Sequence, residues 1–543
     1  MLQIIAYALF TLLAVLGAKW FIEKDGHPKG LFYLFFAEMW ERFSFYGMRA
    51  LLVLYIIKDY MASVENNEEI AYGIYAAYGA LVYATPLLGG FIADRFIGYR
   101  KAIMLGGVLM AIGHFFMAFP SDFFFYGALG LLIAGNGFFK PNISSLVGSL
   151  YKEGDIKRDS GFTIFYMGIN LGAAVAPLLC GYIGSEWGWH YGFGLAGVGM
   201  LAGVIVFWDG IKKGVFGDKG LQPTEYIEKK FFNFNIDKLV YVFAFLIVPI
   251  FAYFLVLESG GNDFLGTIIN ILLFISVGYS GYLMYENYRD GKPEAANKIG
   301  AILILAVLCS VFWACFEQAG SSIVVWADKC MELSFTVFPF SLLSMIDASQ
   351  TNAINPLYII FLAFPFALLW QKLDLWKKNP NTAKKFALGI GFLGLGFLVF
   401  AYSINFINAA GKLPFATLWI GWLLITTGEL CLSPIGLSKV TQLSPKKSVA
   451  FFMGLWFLSS TVAHYIAGAL AKLTISGEST DSSGLLGKLN SILFSGVDLN
   501  GVGVSEAMVY NDLFGKIGFV TIGIAIITLL ISPIIKKLMG DVH

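Results

Sequence analysis

The chain has 543 residues, of which 57% are hydrophobic and only 13% charged, with a formal net charge of +1 and a mean hydropathy of +0.72. That is about half the charge of a soluble globular protein, so the composition describes a polytopic membrane protein. The balanced charge gives no reason to invoke nucleic acid, and five cysteines without a CxxC or paired spacing indicate neither a disulfide framework nor a metal site. The 51 Phe and 61 Gly suit helices that face lipid and pack closely on one another.

In chain order, residues 3–22 form an apolar segment without the positive leading region of a signal peptide; Lys19, Lys24 and Lys29 lie within or after it. It is read as an extra membrane helix with its N-terminus outside. Further apolar segments fall at 31–58, 70–92, 101–119, 122–150, 159–184 and 190–210, each near or above the roughly 20 residues a span requires. A charged connection, 211–237, precedes two more spans at 238–257 and 263–287. A second set of six follows at 298–320, 352–371, 384–407, 415–440, 447–474 and 513–535. The polar stretch 477–512, rich in Ser, Gly and Asn, is expected to be a flexible external loop.

The expected organisation is therefore all-α: 1–29 an extra transmembrane helix, 30–210 a six-helix bundle, 211–297 a connection with an inserted two-helix hairpin, and 298–543 a second six-helix bundle. Lys and Arg are concentrated in alternate loops, including 93–101, 152–158, 212–238, 289–298, 372–385 and 536–537, which puts those loops and the C-terminus on the cytoplasmic side. Two six-helix halves joined by a long connection suggest a transporter of the major facilitator type, whose halves rock about a central site. Gly90-Phe-Ile-Ala-Asp94-Arg95-Phe-Ile-Gly98-Tyr-Arg100-Lys101 resembles the signature loop of that superfamily. Asp94, Arg95 and Arg100 are expected to form a cytoplasmic charge latch.

One stretch organises the rest. Ala37–Ala50 reads AEMWERFSFYGMRA and places Glu38, Glu41, Arg42 and Arg49 in a helix with apolar flanks. At about 100° per residue these charges share one stripe, with Tyr46 beside it. A charge at the bilayer centre costs roughly 2.5 to 3.5 kcal/mol, so the stripe must turn from lipid toward partners or a water-filled cavity. The other deeply placed charges are Lys140, Glu317 and Glu429, and they fall in helices that repeat the position of the first. Four acids then face three bases. Burial favours the protonated form of the uncompensated acid, which is a mechanism for proton coupling. Separated poles also suit a zwitterion, with its carboxylate at Arg42 and Lys140 and its ammonium at Glu429.

The motifs Glu38-x-x-Glu41-Arg42-Phe-Ser-Phe-Tyr46-Gly47, Phe162-Thr-Ile-Phe-Tyr166-Met-Gly-Ile-Asn170-Leu-Gly172 and Phe312-Trp313 to Gly320 resemble the hallmarks of the proton-dependent oligopeptide transporters, in their bacterial form with two extra central helices. The resemblance implies a proton-coupled symporter that imports di- and tripeptides by alternating access through the cell membrane. It assigns proton coupling to Glu38, Glu41, Arg42, Lys140 and Glu317, and the peptide carboxylate to Arg42 and Lys140. The peptide amino terminus falls to Glu429, Asn170 and Asn355. Tyr46, Tyr83, Tyr166, Trp313, Ser433 and Trp456 would line side-chain pockets, and Arg49 with Glu317 would close the external side.

Mammalian members carry a helix 2 histidine that takes part in proton transfer; the matching position here is Ala76, so proton handling is expected to rest on the glutamates. His114 and His464 lie in apolar runs and are read as satisfied packing residues. Partners implied are small peptides and membrane lipid, with no cofactor beyond the coupling proton and a monomer as the expected state. The alternatives are a nitrate or peptide-like drug carrier of the same fold, or a peptide receptor that does not transport. No nucleophile elbow, HExxH or phosphate loop supports an enzyme.

Overall fold

The computed structural model describes every residue except 1, 153–154, 156, 225–229, 232–233, 334–346, 433–435, 446–447, 476–483, 499 and 541–543. The first half of the chain forms α1 (Leu2–Lys24), α2 (Gly30–Tyr55), α3 (Asn67–Ile92), α4 (Gly98–Phe116), α5 (Asp122–Ser149), α6 (Lys157–Trp187) and α7 (Trp189–Lys212). The central insertion supplies α8 (Ile236–Leu246), α9 (Val248–Ser259) and α10 (Phe264–Arg289). The second half forms α11 (Pro293–Phe316), α12 (Ser322–Cys330), α13 (Ile354–Leu375), α14 (Thr382–Tyr402), α15 (Ala416–Leu432), α16 (Gly436–Leu443), α17 (Val449–Lys472), α18 (Leu485–Leu493) and α19 (Val504–Met539). Among the described residues, 12 helical stretches are long and apolar enough to cross a membrane. The charge-bearing α2 falls outside that set, as does α15, an apolar helix of 17 residues.

Several expected spans are built from two pieces. The first span of the insertion bends at Ile247, because Pro249 opens α9 and cannot continue the hydrogen bonding of α8. The span through Glu317 leaves α11 by a 3-10 turn over Glu317–Gly320 and resumes as α12. The expected external loop contains α18, whose Asn490 Nδ2 donates to Asp512 at 2.8 Å to the backbone carbonyl and 2.7 Å to Oδ1. One buried amide therefore holds part of that loop against the base of α19.

The chain divides into two compact units: Met1–Ile74 with Leu81–Asn262 and Thr336–Leu357, and Tyr75–Ala80 with Asp263–Phe335 and Tyr358–His543. Within the first, α2 packs against α6 and α7, and α4 against α5. Glycine sets the spacing. A side chain at Gly172 of α6 would collide with the backbone of Met39 and press on the Arg42 side chain, so this residue lets α6 lie directly on the charged stretch of α2. Gly89 of α3 lies against the Gly137 carbonyl of α5 in the same way. The extra helix α1 turns Tyr7, Val15, Ala18 and Ile22 inward while Leu9, Leu12, Leu13 and Leu16 stay exposed, the pattern of a helix packed on one face and lipid-facing on the others. Within the second unit, α14 packs on α15 and α19, and α11 on α17.

Gly89→Leu is expected to wedge α3 from α5 and to destabilise the folded protein by about 1–3 kcal/mol, as overpacking does. A lower thermal midpoint of the detergent-purified variant is the measurement; an unchanged midpoint would contradict the backbone contact.

Candidate functional site

Within the first unit, the charged face of α2 is almost wholly buried: Glu38 is 2% exposed, Glu41 0% and Arg42 3%. Arg42 Nε lies 3.0 Å from Glu38 Oε1 and 2.6 Å from Glu41 Oε2, so one guanidinium edge serves both carboxylates. Asn136, one turn before Lys140 on α5, donates its Nδ2 to Glu41 Oε1 at 3.2 Å. Several polar atoms of the cluster, Glu38 Oε2 and Arg42 Nη2 among them, have no hydrogen-bond partner among the described residues. A buried pair that spends only part of its donor and acceptor capacity is poor structural glue. Arg42 retains a donor that an incoming carboxylate can take.

Lys140 reaches the same neighbourhood from α5. Its Nζ sits 4.1 Å from the centre of the Tyr83 ring, and it lies within electrostatic reach of both Glu38 and Glu41. Tyr46 and Tyr83 lie within electrostatic reach of Arg42. The Gly89–Gly137 contact brings α3 near enough for Tyr83 to meet the ammonium. Pro141 removes a backbone donor just after Lys140, while Asn142 Nδ2 donates to the Phe138 carbonyl at 2.7 Å and the Gly89 carbonyl at 3.4 Å. Arg49, also buried, places its guanidinium 5.8 Å from the Tyr46 ring. Asn170 is buried and donates to the Tyr166 carbonyl at 3.0 Å, whereas Tyr166 itself is exposed. Asn355, at the start of α13, is buried in this unit; the preceding turn rests on α6 through Gln350 Nε2 and the Leu178 carbonyl, 3.1 Å.

The second unit holds Trp313, Glu317, Glu429 and Trp456. Trp313 packs edge-on against Phe312 and Phe316. Glu429 and Trp456 are buried, and Gly436 of α16 leaves room for the Trp456 ring. Glu317 Oε2 accepts from the Tyr75 hydroxyl at 3.4 Å and lies 3.5 Å from His464 Nε2. His464, expected only to pack, therefore faces a carboxylate. The expected pocket residue Ser433 lies outside the described residues.

At the signature loop, Arg100 donates Nε to the Lys219 carbonyl at 2.6 Å and Nη2 to that of Gly217 at 2.7 Å. Lys101 holds Gln222 and Asp237 at 2.7 and 2.8 Å. Gly98, at φ +75°, adopts a backbone that favours glycine, and a side chain there would press on the Leu221 carbonyl. The connection is thus clasped onto the loop by main-chain acceptors. Asp94 and Arg95 are exposed, with Arg95 6.0 Å over the Phe91 ring.

The sequence pattern that defines the POT family matches residues 100–488. The chain belongs to this family. It is 36% identical over 526 residues to an uncharacterized transporter, YclF, of Bacillus subtilis (strain 168), covering 95% of this chain and 96% of the relative. It is 33% identical over 527 residues to a di-/tripeptide transporter of Lactococcus lactis subsp. cremoris, covering 95% and 98%. A crystal structure of a peptide transporter POT in complex with sulfate superposes with a TM-score of 0.74 at 35% identity, over 95% of this chain and 96% of that one. The all-α, major facilitator-type fold expected from the helix pattern is the fold of this family, and the chain is a membrane transporter rather than an enzyme. Among the described residues, no group of three or more His, Cys, Asp or Glu could hold a metal ion.

Asn136 was not singled out from the sequence, though its place one turn before Lys140 on the same helix face carries the signal. Tyr75 and His464 gave none, since an aromatic and a lone histidine in apolar helices read as packing.

Arg100→Ala is expected to loosen the clasp, so that trypsin cuts after Lys212, Lys213 or Lys219 several-fold faster than in the unaltered protein. Equal cleavage rates would show that the main-chain contacts of Arg100 do not hold the connection.

Proposed function

We propose that this chain imports di- and tripeptides together with protons by alternating access. The buried Glu38–Arg42–Glu41 cluster, with Asn136 and Lys140 beside it, carries the reading. It holds excess acid and an incompletely used guanidinium in a helix that otherwise faces lipid or packed protein. The Lactococcus relative named a di-/tripeptide transporter supports the substrate class, and proton coupling is general for the family.

In this reading a peptide carboxylate takes the spare donor of Arg42 and the ammonium of Lys140. Protonation of Glu38 or Glu41 releases Lys140 for that role, so proton and carboxylate enter together. Glu429, Asn170 and Asn355 receive the peptide amino terminus. Tyr46, Tyr83, Tyr166, Trp313, Ser433 and Trp456 line side-chain pockets, whose aromatic faces tolerate varied cargo. Arg49 and Glu317 form the pair that closes the external side, and Asp94, Arg95 and Arg100 serve the cytoplasmic side. The working form is a monomer in the bacterial inner membrane, with α1 entering from outside and the C-terminus in the cytoplasm.

Lys140→Ala is expected to abolish uphill dipeptide accumulation in proteoliposomes under an inward proton gradient, and retained accumulation would remove Lys140 from coupling. Glu429→Gln should weaken a dipeptide with a free amino terminus about tenfold more than its N-acetylated form in competition for uptake, a differential loss of about 1.4 kcal/mol. An equal loss for both ligands would refute the ammonium role.

A further inference from the structure

The proton-coupled reading leaves His464 without a task, yet its surroundings are built with care. His464 lies in α17 and is 5% exposed. Its Nδ1 is 2.9 Å from the Ser460 carbonyl, one turn back on its own helix. A carbonyl oxygen only accepts, so Nδ1 must carry a hydrogen whatever the charge of the ring. The nitrogen that gains or loses a proton is therefore Nε2, and Nε2 is the atom turned to Glu317 Oε2, 3.5 Å away. The same oxygen accepts from the Tyr75 hydroxyl at 3.4 Å.

Two glycines make this arrangement possible. A side chain at Gly79 would collide with the His464 ring, and one at Gly320 would collide with the Tyr75 hydroxyl. Polar staples fix the helix pair on either side. Ser310 Oγ donates to the Ser459 carbonyl at 3.0 Å, and Gln318 Nε2 to that of Ala467 at 2.9 Å. The Glu317 carboxylate is thus held at a constant height beside the imidazole, where the 3-10 turn ends α11. Two neighbouring titratable groups on α17 can be placed. Tyr465, the next residue, donates to Asp263 at 2.6 Å, and Lys472 lies about two turns further along α17.

We propose that His464 is a proton-carrying residue of the transport cycle, sharing one proton with Glu317 between Nε2 and Oε2. A proton arriving from external water is held either as imidazolium beside carboxylate or as neutral imidazole beside carboxylic acid. Passing between these forms breaks one N–H bond, makes one O–H bond and leaves the charge of the pair unchanged. Tyr75 donates to Oε2 in both forms. The separation is that of an ion pair, and the two atoms must approach by a few tenths of an ångström before the proton passes. With the shared proton in place, Glu317 does not stand as an uncompensated anion. This inference rests on the proton-coupled reading of the protein.

The test uses the full chain in liposomes with labelled dialanine, measuring uptake against external pH. The unaltered protein is read first: no proton-dependent uptake would defeat the transport reading itself. Free imidazole holds a proton about two pH units higher than a free carboxylate. In His464→Gln the site should therefore load only from a more acid exterior, and the midpoint is expected to move about one pH unit to acid, tenfold in proton activity. Gly79→Ala, which crowds the ring without removing it, should move the midpoint in the same direction. A lowered plateau with an unmoved midpoint in both variants, or no uptake by either at any pH, would make the histidine structural and overturn the proposal.

Discussion

A charge that cannot reach water must find a partner, and in α2 three such side chains find each other. Arg42 lies between Glu38 and Glu41 with almost no exposure, in a helix whose neighbours are Phe, Leu and Trp. Two carboxylates on one guanidinium edge cannot both be fully satisfied, and the arrangement persists because Asn136 and Lys140 approach from α5. Removing one member of a buried charge pair typically costs 3–5 kcal/mol, so the cluster tolerates exchange of partners far better than loss of one. Exchange is what a carrier needs: proton and ligand can each replace a partner in turn.

The rest of the first unit serves to bring those partners close. Gly172 lets α6 lie on the α2 backbone at Met39 and Arg42, and the Gly89–Gly137 contact sets Tyr83 against Lys140. In lipid, where tails are as apolar as leucine, such close backbone approach and interhelical hydrogen bonds replace the hydrophobic effect as the organising force. The second unit uses the other half of that principle. Half-buried Ser310 and buried Gln318 and Asn511 each donate to a main-chain carbonyl on a neighbouring helix, and the first two flank Glu317.

Much of this was legible in the chain. Apolar runs near the length of a bilayer gave the spans, because the membrane imposes a fixed thickness on every crossing. The offsets of Glu38, Glu41, Arg42 and Arg49 gave a single stripe, because helical periodicity is local. Breaks within spans were less legible: Pro249 announces the bend between α8 and α9, but the 3-10 turn at Glu317 has no proline to mark it. The helix α18 was hidden in a polar stretch, since nine residues with a polar anchor at Asn490 look like loop until Asp512 is seen to receive it.

Sequence alone determined the membrane class, the all-α character and the charged face of α2, all of which follow from periodicity and hydropathy over short windows. The tertiary structure decided which groups meet across long separations. Tyr75 and Glu317 are 242 residues apart, and the imidazole of His464 is aimed at the same carboxylate through room that Gly79 leaves. Nothing in a one-dimensional pattern distinguishes a histidine that fills space from one whose Nδ1 is clamped by a carbonyl while Nε2 faces an acid. That distinction depends on the direction of one ring in three dimensions.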